Sequence, residues 1–123
     1  MSADGPPRWP VELRLKRAEK LLEIAFDDGS HFSLPAEYLR VESPSAEVQG
    51  HGPGQKTLVP GRAEVGIIGL EPVGNYAVRI TFDDLHDTGI YSWSYLHQLG
   101  VEQQRRWRAY LDALAANGLR REP

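Results

Sequence analysis

The sequence contains no cysteine among its 123 residues. That absence excludes disulfides, thiolate zinc sites, cysteine nucleophiles and iron–sulfur clusters held by the chain's own thiolates. Nor does charge of one sign dominate: 14 Lys and Arg stand against 17 Asp and Glu, a formal net charge of −3. With no global basic field, neither nucleic acid nor a membrane surface is an expected partner. No apolar run approaches the roughly 18 residues of a membrane span, and the start, MSADGPPRWP, lacks a signal peptide's apolar stretch. The expected location is therefore cytoplasmic. What remains is globular in balance, 41% hydrophobic and 25% charged, enough for one domain with its own core.

Proline and glycine punctuate the chain. Residues 1–10 read as an irregular N-terminal arm, with Trp9 placed to tack it onto the core. From Val11 the period becomes two: Val11, Leu13 and Leu15 alternate with Glu12, Arg14 and Lys16, the pattern of a half-buried strand. Leu22, Ile24 and Phe26 repeat it up to the turn dipeptide Asp28-Gly29, and Phe32 and Leu34 continue a third strand of an antiparallel meander. Pro35 opens a short helix to Val41 that turns Tyr38 and Leu39 inward. Residues 43–61 then read mostly as loop, long enough to suggest function, with its first half ordered.

Val65 to Leu70 is apolar throughout, so both faces are expected to be covered, by the final helix or by a second subunit. Tyr76 to Phe82 turns Val78, Ile80 and Phe82 inward, and a short strand from Thr88 to Tyr91 follows an acidic turn. Ser92 or Ser94 caps a helix that Gly100 stops, and a last helix runs from about Val101 to Asn117 with a frayed tail beyond. Trp93 and Trp107 belong to the core on this reading, and no internal repeat is apparent. The fold class is α+β: a single small domain, a mainly antiparallel sheet, short helices and a C-terminal helix.

Candidate chemistry is sparse. Gly50-His51-Gly52-Pro53-Gly54 is neither a phosphate loop nor a dinucleotide fingerprint, because no helix opens after it and Pro53 removes an amide. Asp83, Asp84, His86 and Asp87 have the residue types for a divalent metal or for acid–base work, but a solvated turn explains them more simply. His31 and His97 have no convergent partners in sequence. Serines 43, 45, 92 and 94 lack a nucleophile elbow. Arg105, Arg106 and Arg108 beside Trp107 offer a contact for RNA or an acidic protein, yet no basic stripe extends beyond them.

Four segments together are distinctive: residues 34–41, the loop 43–55, Glu71-Pro72-Val73-Gly74-Asn75-Tyr76-Ala77-Val78, and the run from His86 to Leu96. They resemble the family named for the N-terminal domain of gamma-butyrobetaine hydroxylase. The resemblance spans residues 11–99 and implies an α+β domain, leaving 100–123 as a C-terminal helix and tail. In the hydroxylases this domain precedes a jelly-roll oxygenase, for which nothing after Leu99 provides material. Metal-bearing members hold zinc through a Cys-Pro-Cys-x-x-Cys run and a histidine. Here the matching run is Ser43-Pro44-Ser45-Ala46-Glu47-Val48, with His86 in the histidine position, so the resemblance implies a degenerate zinc site and no metal. Ser43, Ser45, Glu47 and His86 are expected to clip the loop to the 83–88 turn by hydrogen bonds instead. The family also occurs fused to P-loop carriers of iron–sulfur clusters.

The leading expectation is a non-enzymatic binding or adaptor module without cofactor, acting on a protein partner, in line with an accessory role in iron–sulfur cluster handling. Its binding surface is expected at Ser43, Ser45, Glu47, Gln49, His51, Gln55, Asp87 and Tyr91. The alternative is a metal-binding accessory domain using His51, His86 and the neighbouring carboxylates.

Overall fold

A computed structural model describes residues 9–50 and 54–123. The period-two segments form two three-stranded antiparallel meanders. The first comprises β1 (Pro10–Lys16), β2 (Leu21–Phe26) and β3 (His31–Pro35), and the second β4 (Ile67–Val73), β5 (Ala77–Phe82) and β6 (Gly89–Ser92). Helix α1 (Ala36–Val41) and the single turn α2 (Ala46–Gln49) lie between them in the chain, and α3 (Trp93–Val101) and α4 (Gln103–Ala116) follow. The fold is α+β.

Register explains the main core. Leu22 pairs with Leu34 and Ile24 with Phe32 in the first sheet, while Leu70 pairs with Ile80 and Val78 with Tyr91 in the second. Leu22, Ile24, Phe26 and Leu34 pack with Val78, Ile80, Phe82 and Tyr91, joined by Tyr38 and Leu39 of α1 and Leu96 and Leu99 of α3. Each of these fully buried aliphatic side chains contributes roughly 1.5–3 kcal/mol of transfer free energy. A second cluster joins Val41, Val48 and Val59 to Tyr110 and Leu114 of α4, and so holds the long loop against the last helix.

Several sequence expectations need correction. Strand β4 starts at Ile67, and Ile68 remains 51% exposed, so its apolar run is not covered on both faces. Gly100 does not end α3. It lies inside the helix, where a Cβ would sit 2.4 Å from Phe32 Cγ, so its missing side chain serves close packing. The tail is not frayed: Gly61 and Ala63 donate backbone hydrogen bonds to the Arg120 and Arg121 carbonyls, and Arg121 makes a bidentate pair with Glu37. His97 does have a partner, with Nε2 3.0 Å from Asp28 Oδ2. Trp9 ties down through its backbone to Asp27 rather than through a buried ring.

Candidate functional site

The long loop and the β5–β6 turn meet at His86. Ser45 caps α2, its hydroxyl accepting from the Glu47 N–H, which fixes Glu47 at the start of that turn. Ser43 Oγ lies 2.9 Å from His86 Nε2, and Glu47 Oε1 lies 3.2 Å from His86 Nδ1. A carboxylate only accepts, so Nδ1 carries the ring proton and Nε2 accepts from the Ser43 hydroxyl. Ser43 Oγ in turn accepts from Ser45 N–H, and Ser45 Oγ meets Thr88 Oγ1 at 2.7 Å. Gly89 is needed beside this cluster, because a Cβ there would approach Ser43 Oγ to 2.6 Å.

The turn is fixed from its other side by Asp84. Its Oδ1 accepts the His86 N–H, and its Oδ2 accepts from Arg40 Nε and Arg62 Nε at 2.8 and 2.7 Å. Burial would raise the Asp84 pKa, but the His86 amide and the two guanidiniums outweigh it and hold the carboxyl below its ordinary value. For His86, burial and then the Arg40 charge outweigh Glu47 and Asp84, so the ring is held below the ordinary imidazole range and stays neutral at pH 7.

Ser43, His86 and Glu47 therefore share the connectivity of a serine–histidine–acid triad. Its chemistry is blocked. Ser43 is fully buried, its oxygen already accepts a backbone amide, and the larger grooves are built from other residues. One such groove, of about 690 Å³, is lined by residues including Glu37, Tyr38, Val101 and Trp107. The arrangement holds a neutral imidazole between a hydroxyl and a carboxylate, which is a structural clip.

The same cluster does not fit the zinc that metal-bearing members of the resembled family hold. Two of its groups are hydroxyls, and Val48, where the third thiolate would stand, is buried in the apolar cluster with Val59 and Tyr110. Among the described residues no group of three His, Asp or Glu side chains is placed to hold a metal ion.

Of the residues expected to form a binding surface, the structure brings Ser43, Ser45 and Glu47 together around His86. Ser43 and Tyr91 are fully buried, and Ser45 nearly so, which corrects their assignment to a contact surface. Tyr91 instead donates its hydroxyl to the Leu39 carbonyl inside the core. Gln49 is half-buried, its amide donating to the Ser43 carbonyl, while Glu47, Gln55 and Asp87 are exposed. His51 lies outside the described residues.

Sequence reasoning missed Leu85. This leucine is 83% exposed and adopts φ +74 at the tip of the turn, a conformation costly for a branched side chain. The available signal was an isolated leucine between Asp84 and His86 in an otherwise polar turn.

Fold and site together define a small α+β module in which hydrogen bonds clip a long loop to a hairpin tip that carries an exposed apolar residue. The family model described as gamma-butyrobetaine hydroxylase-like, N-terminal, matches residues 13–97, and the chain belongs to that family. Two NMR solution structures are similar over nearly the whole chain. One has a TM-score of 0.84 at 43% identity, covering 96% of this chain and 93% of that one. The other has 0.83 at 47%, covering 100% and 92%. A crystal structure from Acidithiobacillus ferrooxidans, of a protein with unknown function in the DUF971 family, has a TM-score of 0.63 at 36% identity, over 74% of this chain and 91% of that one. No curated protein matches the chain.

Proposed function

We propose that this chain is a non-catalytic adaptor that acts in the cytoplasm and binds a protein partner through the exposed rim of the clip, Glu47, Gln49, Gln55 and Asp87, together with Leu85. The observation that carries the reading is Leu85, an apolar side chain 83% exposed on a left-handed backbone. Burying a leucine yields roughly 1.5–3 kcal/mol, and a side chain presented on an already ordered turn loses little further freedom on docking. The hydrogen bonds of Asp84 and His86 order the turn in the chain by itself. The triad-like connectivity does not favour an enzyme, because its serine is sealed in the interior.

The family's fusions to carriers of iron–sulfur clusters support a partner of that kind, with an accessory role in cluster handling for this chain. The partner itself would then supply every thiolate, since the chain has none. Affinity capture at native expression, followed by titration with the purified partner, tests both levels. A partner whose affinity falls at least about tenfold with Leu85→Gly, the loss of most of one buried leucine, supports the surface. Unchanged affinity removes the surface, and a partner that carries no cluster removes the accessory role.

A further inference from the structure

We propose that β1 is a self-pairing edge, through which two copies of this chain join their first sheets into one continuous antiparallel sheet. Among the described residues β1 pairs with β2 alone, so its outer ladder groups are unpaired. Val11, at the bulge, is 66% exposed, and Leu13, which pairs with the core residue Ile24, is also exposed. These two residues border a groove of about 390 Å³ with Leu70, Pro72 and Trp93, and the exposed Ile68 lies on the neighbouring β4, where its carbonyl accepts from Arg17. An edge with this much apolar surface beside it invites a further strand.

The charges say which strand. Antiparallel pairing about a twofold axis at Leu13 sets Glu12 of each copy opposite Arg14 of the other and Leu13 against Leu13. Moving the axis to Arg14 sets arginine against arginine, and moving it to Glu12 sets glutamate against glutamate. Moving it between residues sets apolar side chains opposite charged ones on a single face. Of these axes, the one at Leu13 alone opposes no like charges and keeps each face matched. The bulge between Pro10 and Glu12 ends the regular ladder on one side, which keeps the matched segment short. Glu12 and Arg14 already form an exposed pair within the strand at 2.8 Å, so the dimer re-partners existing charges without burying new ones.

Sedimentation equilibrium on the full chain, up to about 1 mM and at low salt, tests this, since weak edge pairing is expected in that affinity range. The wild-type chain is expected to form dimers. Glu12→Arg sets like charges opposite at two places and is expected to weaken association about tenfold, while Glu12→Arg with Arg14→Glu restores it. A wild-type chain that stays monomeric overturns the proposal. So does a dimer that the single reversal leaves unchanged or that the double reversal fails to rescue.

Discussion

Two hairpin turns in this molecule follow one backbone plan and differ in their fourth and fifth residues. The first is Phe26-Asp27-Asp28-Gly29-Ser30 and the second Phe82-Asp83-Asp84-Leu85-His86. In each, the phenylalanine N–H donates to the carbonyl of the fifth residue, at 2.8 and 2.9 Å. The fourth residue's N–H returns to the phenylalanine carbonyl, at 3.1 and 3.0 Å. The second aspartate accepts the fifth residue's N–H, at 2.9 and 3.1 Å. The fourth residue is left-handed in both, with φ +88 at Gly29 and +74 at Leu85.

Glycine meets that backbone demand without strain, and leucine does not. The second turn therefore carries a cost that its exposed side chain does not recover within the monomer. It is also the more heavily anchored of the two, by Arg40 and Arg62 on Asp84 and by Ser43 and Glu47 on His86. The first turn has His97 against Asp28 and the Trp9 backbone against Asp27. The lesson is that a strained residue persists where the surroundings over-determine it, and such places are the first to examine for function.

The largest break in this comparison comes from the anchor. His86→Ala removes two hydrogen bonds, one of them to the imidazole acceptor of the buried Ser43 hydroxyl, and is expected to cost about 3 kcal/mol. Chemical denaturation measures the loss, and limited proteolysis is expected to show faster cleavage in the 43–55 loop. Next comes the first turn. A Cβ at Gly29 meets no neighbour within 4 Å, so Gly29→Leu is expected to act through backbone strain, about 1–2 kcal/mol of destabilisation in the same assay.

The reciprocal change sharpens the contrast. Leu85→Gly relieves strain but adds freedom to the unfolded chain, for a net gain of about 0.5–1 kcal/mol measured as a raised denaturation midpoint. A variant that gains stability while losing its partner separates function from folding cleanly. The smallest effect is on pH. His86 is depressed in the folded state, so below its ordinary value the unfolded chain binds the proton more readily. Its contribution is whole above about pH 6.5 and declines as the pH falls below that. Denaturation midpoints followed from neutral pH to about pH 5.5 are expected to fall in the wild type and to flatten in His86→Gln.

Much of the fold was legible from local pattern. Alternation marked all three strands of the first meander, Asp28-Gly29 marked its turn, and of the two serines expected to cap α3, Ser92 does so. The Ser43, Glu47 and His86 cluster came from the family resemblance, since no spacing rule links residues about forty positions apart. The shared turn plan stayed hidden because its fourth residue changes type. A sequence scan sees glycine and leucine as opposites where the turn places both in the same left-handed conformation.

The chain by itself determined the strands, the turns and the absence of thiolate chemistry, because these depend on side-chain period and residue type within a few positions. Tertiary structure alone decided that Tyr91 is internal, that Gly100 lies against Phe32, that the tail locks onto Glu37 and that Leu85 stands out on a left-handed backbone. Each of those outcomes depends on which distant surfaces close on one another, and on the hydrogen bonds of Asp84 and His86 outweighing the preference of one leucine.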